Sequence, residues 1–163
     1  MPSLDQPALE DLVSKAVCNV FRKMLSIKLE PIDPACTLTN PANDGDQLVG
    51  SVGFAGKANG VICIHLTESF ARLILSSLLS LRPEEVSNIA AVNDAVGELS
   101  NMVGGNLKSS LCDSGFSCQL SIPSITRGNR LQIQPTGETI RAYLGFSYQQ
   151  HYLLVEVYLK TRL

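Results

Sequence analysis

The chain has 163 residues, of which 45% are hydrophobic and 17% charged, a balance typical of one globular domain, placed here over residues 1–163. Thirteen basic and fifteen acidic residues give a net charge of −2, which argues against nucleic-acid binding. The longest apolar stretch is too short to span a membrane, and the N-terminus lacks the basic-then-apolar order of a signal peptide. We therefore expect a cytoplasmic protein that binds neither nucleic acid nor membrane.

Cysteine and histidine, the residues that most often hold transition metals, form no ligand-spaced cluster. The two histidines, His65 and His151, are far apart in the sequence. The cysteines are odd in number, and no two of them form a Cys-x-x-Cys pair. We expect no metal site, and reduced cysteines that act as small core residues. These are Cys18, Cys36, Cys63, Cys112 and Cys118.

The chain begins with a strongly periodic segment. Apolar residues recur at three- and four-residue steps over residues 7–27, which predicts a first helix. Three prolines between residues 31 and 41 then argue against regular structure as far as residue 44.

A hairpin and a second helix are expected next. Residues 47–55 and 61–66 are rich in Val and Ile, and the Asn-Gly pair at 59–60 between them is typical of a tight turn. A helix is predicted over 68–81, with the Thr67 hydroxyl as its N-terminal cap.

The C-terminal half predicts the longest helix and then a set of strands. The helix is expected over residues 83–111, and Gly115 ends the helical region. Segregated helices and antiparallel strands indicate an α+β domain: an antiparallel sheet with one long helix and two further helices. The strands are predicted over residues 116–122, 130–134, 139–148 and 152–160, with a hairpin between the last two.

The long helix has two chemically different faces. At about 100° per residue, its apolar residues fall in one stripe that should face the core. Asp94, Glu98 and Asn101 cluster on nearly the opposite side and should point to solvent as one patch. The apolar stripe consists of Ile89, Val92, Val96, Leu99, Val103 and Leu107.

This polar patch combines two useful side chains with unusual glycines. The Glu98 carboxylate can pair with a cation, and the Asn101 carboxamide offers a donor and an acceptor that can orient a water molecule. Gly105 lies on the same side, where a missing side chain allows another backbone to approach. The alternatives are an ordinary solvated helix face, and a helix that ends near Gly104 with its glycines as a cap.

Residues 97–108, Gly-Glu-Leu-Ser-Asn-Met-Val-Gly-Gly-Asn-Leu-Lys, resemble the signature helix of the CheC/CheX/FliY chemotaxis phosphatases. That family's pattern is Asp or Ser, three residues, Glu, two residues, Asn, and Asp94, Glu98 and Asn101 match it position for position. CheC-type members carry two such helices, whereas the first helix here lacks a second copy. The single motif is similar to CheX, and the resemblance covers most of the chain.

The resemblance implies a phosphatase that hydrolyses the phospho-aspartate of a CheY-like response-regulator receiver domain. It implies that Asn101 orients the attacking water, that Glu98 pairs with the receiver's active-site lysine, and that Asp94, where the family also accepts Ser, is a peripheral contact. We expect Gly105 to be a docking position as well, because a glycine on the same side lets another backbone approach. No cofactor of the chain's own is implied, because the receiver carries Mg²⁺. The resemblance also implies a homodimer whose sheets join between protomers.

Two readings of another class remain open at this point. A chain of this fold could be a non-catalytic adaptor that binds a receiver, or a dimeric signalling scaffold. The Glu98/Asn101 pair favours catalysis, because an adaptor need not keep both groups on one helical turn.

Overall fold

A computed structural model describes residues 3–39, 47–82, 85, 88–128 and 134–161. Its helices are α1 (Gln6–Leu25), α2 (Pro34–Thr39), α3 (Glu68–Leu79) and α4 (Ile89–Asp113). Its strands are β1 (Glu30–Ile32), β2 (Gln47–Gly56), β3 (Ala58–Thr67), β4 (Cys118–Leu120), β5 (Ser124–Gly128), β6 (Ile140–Tyr148) and β7 (His151–Thr161). The predicted α+β class is confirmed.

The strands form one antiparallel sheet. Its order is β1-β6-β7-β3-β2-β4, and β5 also pairs with β2. The two short strands share the outer edge of β2: β5 pairs with residues 47–51 and β4 with residues 54–56. This shared edge places the β4–β5 connection beside the middle of β2.

Three helices cover one face of the sheet and bury a continuous apolar core. Helix α1 packs against β6 and α4, α4 packs against β2 and β4, and α3 contacts both helices and β3. In α1 and α4 the buried residues follow the helical period, because side chains three and four positions apart share a face. The largest fully buried side chains include Phe21, Phe70, Phe116 and Phe146.

Side-chain caps explain where two of these helices begin. Asp5 accepts a hydrogen bond from the Ala8 N–H at 2.9 Å, which satisfies a donor that the first turn of α1 leaves free. Thr67 Oγ1 accepts from the Phe70 N–H at 3.2 Å, so the predicted cap of α3 is confirmed.

The segment after α1 contains regular structure that the prolines were expected to forbid. Strand β1 lies at the edge of the sheet, and Pro31 pairs with Phe146 there. Proline has no N–H to donate, which is tolerated in an edge strand because no further strand lies on its outer side. Pro34 is the first residue of α2, a position whose N–H has no partner inside a helix. For β1 and α2 the prediction was therefore wrong, because proline is tolerated at both of these positions. Its remaining part, residues 40–44, lies outside the described part of the chain.

The turn of the β2–β3 hairpin lies earlier than predicted. The chain reverses around Lys57, and Asn59 and Gly60 both lie in β3. The Asn59 carboxamide braces the reversal: it accepts from the Gly56 N–H at 3.2 Å and donates to the Gly56 carbonyl at 2.6 Å. A Cβ atom on Gly60 would collide with the Tyr158 carbonyl, so this glycine permits the close approach of β7.

The C-terminal strands agree only partly with expectation. The β6–β7 hairpin is confirmed, and Gln149 takes a positive φ of 54° in its turn. Strand β4 is shorter than predicted, and β5 was not predicted because its Ser-Ile-Thr-Arg-Gly sequence resembles a loop. The strand predicted at 130–134 falls on residues of which 130–133 lie outside the described part of the chain.

The cysteines are all free, but they do not share one environment. Cys63 and Cys118 are buried as expected, whereas Cys36 is exposed. Burial, with a smaller contribution from nearby Glu156, raises the pKa of the Cys63 thiol to about 12. Cys63 is therefore an un-ionised core thiol at neutral pH.

Candidate functional site

Helix α4 carries the predicted patch on its solvent side. Asp94, Glu98 and Asn101 are exposed, and Gly105 is half-buried; these four residues are called the α4 face below. They recur at steps of four, three and four residues, which places them along one side of a helix. Glu98 and Asn101 therefore stand about one turn apart, roughly 5–6 Å between their Cβ atoms.

The side chains of the α4 face have no partner in the described part of the chain. No hydrogen bond or ion pair there engages the side chain of Asp94, Glu98 or Asn101. Two free carboxylates and one free carboxamide therefore remain available to a second molecule.

The opposite side of α4 is fixed against the core. Five residues of the predicted apolar stripe are fully buried, while Ile89, the first residue of the helix, is 55% exposed. The stripe therefore begins one turn later than predicted. The helix itself begins at Ile89 rather than at residue 83, because the Asn88 side chain caps it by accepting from the Ala90 N–H at 2.9 Å.

Two close contacts set the position of α4 on strand β2. The buried Ser100 hydroxyl occupies the space where Gly50 lacks a side chain, and it donates to the Val96 carbonyl at 2.7 Å. Further along, a Cβ on Gly104 would lie 3.4 Å from Val52. Rigid seating of this kind fixes which side of α4 faces outward, and so where the outward side chains leave the helix.

The glycines of α4 are not a helix cap. The helix continues to Asp113, so the alternative of an end near Gly104 is wrong. Gly97 and Gly104 face the β4–β5 side, where Pro123 and Leu120 approach them, whereas a Cβ on Gly105 would meet nothing within 4 Å. Gly105 is thus the one glycine of α4 whose missing side chain leaves open space for an approaching molecule.

An arginine links the first half of α4 to two neighbouring elements. Arg127 of β5 donates through Nε to Asn93 Oδ1 at 2.9 Å, and its Nη1 lies 3.5 Å from Glu68 Oε2 at the start of α3. Asn93 directly precedes Asp94. The sequence did not reveal this link, because β5 itself was not predicted.

A second polar group lies on the sheet face opposite the large helices. His65 Nε2 lies 3.1 Å from Glu156 Oε2, and both side chains are more than nine-tenths buried. Arg141 approaches Glu156 at 3.9 Å and stacks over the Tyr143 ring at 4.5 Å from its centroid. These groups pair with one another, so they form an internal network on residues that are not part of the α4 face.

Two further properties of the described residues concern metal-ligand clusters and helices that could span a membrane. Among the described residues, no group of three or more His, Cys, Asp or Glu side chains is arranged to hold a metal ion. Within the same part of the chain, every helix is too short or too polar to cross a membrane.

Comparisons with known proteins agree on one family. Residues 48–146, more than half of the chain and including the whole α4 face, match the family model described as chemotaxis phosphatase CheX. No curated protein matches the chain in sequence.

Solved structures show the same fold over nearly the whole length. Chemotaxis protein CheX from Vibrio vulnificus is 27% identical, with a TM-score of 0.78 over 97% of this chain and 100% of that one. CheX from Desulfovibrio desulfuricans is 23% identical, with a TM-score of 0.76 over 93% of this chain and 99% of that one. A chain of the CheX-CheY-BeF3-Mg²⁺ complex from Borrelia burgdorferi is 21% identical, with a TM-score of 0.69 over 97% and 99% of the two chains.

Proposed function

Because the chain belongs to the CheX family of chemotaxis phosphatases, we propose that it hydrolyses the phospho-aspartate of a CheY-like response-regulator receiver domain. A single observation carries this proposal: Glu98 and Asn101 stand unpartnered, one turn apart, on the outer side of a rigidly seated helix. The complex of a similar fold with CheY supports a receiver as the partner. A cytoplasmic location is part of the same proposal.

The chemistry requires positioning more than covalent participation. A water oxygen forms a bond to phosphorus, the aspartyl carboxylate leaves, and inorganic phosphate is released. The Asn101 carboxamide orients that water through a hydrogen bond. Its NH₂ group can donate to the water and its oxygen can accept from the water. Mg²⁺, which neutralises charge on the phosphoryl oxygens, belongs to the receiver substrate rather than to this chain.

Glu98 has a different role in this proposal. Its carboxylate pairs with the active-site lysine of the receiver, which fixes the register in which α4 docks. Asp94, one turn earlier, makes a peripheral contact, and Gly105 lets the receiver backbone approach the helix.

Removing the charge of Glu98 should weaken receiver binding about tenfold, because a charge-assisted pair contributes more than a neutral hydrogen bond. The measurement is the Kd of Glu98→Gln for a beryllofluoride-loaded CheY-like receiver domain. Asp113→Asn, which removes the same charge from an exposed position at the end of α4, is the matched control and should bind within about twofold of the wild type. Equal losses in the two variants would show that only net charge matters and would contradict the docking role.

We also propose that the chain forms a homodimer through the outer edge of β6. Strand β1 pairs only with Gly145–Ser147, so residues 140–144 have no strand partner on that side among the described residues. A strand edge without a strand partner favours pairing with another chain. Light scattering at micromolar concentration should give about twice the monomer mass of 17.6 kDa, and a monomeric mass would contradict the dimer.

A further inference from the structure

One hydrophobic side chain stands far out of the surface beside α4. Ile122, in the β4–β5 connection, is 86% exposed, whereas the other exposed large hydrophobic side chains in the described part of the chain reach at most 55%. Single exposed apolar residues are common on protein surfaces, so exposure alone assigns no role to Ile122. The role of Ile122 is inferred instead from its position beside α4 and from the fixed backbone on either side of it.

The β4–β5 connection runs antiparallel to α4 and is seated on two of its glycines. Leu120 Cδ2 would lie 3.8 Å from a Cβ on Gly104, and Pro123 Cγ would lie 3.8 Å from a Cβ on Gly97. These two glycines are seven residues, or about 10 Å, apart along the helix. Ile122 therefore lies between their levels, alongside the turn that presents Asn101.

Hydrogen bonds hold this connection in place. The Ser121 N–H donates to the Gly53 carbonyl at 2.9 Å, and Ser121 Oγ accepts from the Gly53 N–H at 2.8 Å. The same hydroxyl donates to the Ile122 carbonyl at 3.1 Å. With Pro123 packed on Gly97 at the next position, the backbone on both sides of Ile122 is fixed, so its side chain is presented to solvent without a large entropic cost on binding.

We propose that Ile122 is an apolar docking residue that binds the receiver domain next to the α4 face. This inference rests on the proposed function, because a receiver whose active site receives Asn101 must also cover the surface beside that turn. Burial of the isoleucine side chain supplies affinity that does not depend on the phosphoryl group.

The test compares two exposed isoleucines, one beside the turn of α4 that presents Asn101 and one at the first residue of the helix. Ile122→Ser should raise both the KM for a phosphorylated CheY-like receiver and the Kd for its beryllofluoride-loaded form about tenfold, while kcat stays within about twofold. Ile89→Ser is the matched control, because Ile89 is 55% exposed and lies nine residues, two and a half turns, before Glu98. Its KM and Kd should stay within about twofold of the wild type.

The outcomes separate this inference from the function on which it rests. A wild-type chain that accelerates dephosphorylation, with equal KM values for Ile122→Ser and the wild type, would overturn the role of Ile122 and leave the phosphatase intact. A loss of kcat with unchanged KM would overturn it as well, since a docking residue acts on binding. A wild-type chain that neither binds nor dephosphorylates any receiver domain of its organism would overturn the proposed function, and this inference with it. Because Ile122 is exposed, its variant should keep the wild-type melting temperature.

Discussion

Replacing Asn101 with alanine should abolish most of the acceleration of receiver dephosphorylation, with a fall in kcat of about a hundredfold, or ~2.7 kcal/mol of transition-state stabilisation. The physical reason is that a side chain that orients water acts on the reacting molecule rather than on docking, so KM should change little. The measurement is the decay of a phosphorylated receiver at saturating concentrations of the variant. The melting temperature should not fall, because Asn101 is exposed and without a partner among the described residues.

A second carboxamide provides the control for this prediction. Gln119 is exposed on β4, between the buried Cys118 and Leu120, which approaches Gly104; strand alternation therefore points it away from the helices. Gln119→Ala should retain full kcat. If Asn101→Ala also retained full kcat on a receiver that the wild type dephosphorylates, the water-positioning role would be wrong.

Replacing Gly50 with alanine should destabilise the protein by about 2–3 kcal/mol, because the added methyl group overpacks the contact between β2 and α4. The new Cβ would collide with Ser100 Oγ and lie 3.1 Å from Val96 Cγ1, and both residues are buried in the helix that carries the α4 face. Denaturant unfolding gives the free energy directly, and thermal unfolding should shift downward by about 2–4 °C per kcal/mol.

A second substitution at this contact should restore part of the lost stability, and another glycine of α4 provides a control. Adding Ser100→Ala removes the colliding oxygen, so the double variant should be more stable than Gly50→Ala alone. Gly105→Ala makes the same chemical change where a Cβ meets nothing within 4 Å, and it should stabilise the helix by about 0.5–1 kcal/mol. A Gly50→Ala variant as stable as the wild type would show that α4 does not approach β2 as closely as described.

Helical features were predictable because they depend on local periodicity. The first helix was expected over 7–27 and is Gln6–Leu25, and the exposure of Asp94, Glu98 and Asn101 followed from their spacing. The Thr67 cap was equally local, since a hydroxyl and an N–H three residues later decide it. For such elements the residues that determine the structure are neighbours in sequence.

The elements that were missed depend on partners distant in sequence. Strand β5 has a polar sequence and pairs with β2, whose residues precede it by more than seventy positions. Asn59 and Gly60 have the composition of a tight turn, yet both lie inside strand β3. They do so because β7 pairs with β3 there, and its backbone comes so close to Gly60 that only a glycine fits. The sequence did not predict the surroundings of Asn101 for the same reason. Ile122 lies beside that turn of α4 only because β4 and β5 both pair with β2.

The decay of a phosphorylated CheY-like receiver domain, with and without the wild-type chain, decides whether this chain is a receiver phosphatase. Binding of the beryllofluoride-loaded form of the same receiver is measured in parallel. We expect binding together with a decay accelerated about a hundredfold or more. A receiver that binds the chain and yet loses its phosphoryl group at the unassisted rate would rule out the phosphatase activity and would identify the chain as an adaptor.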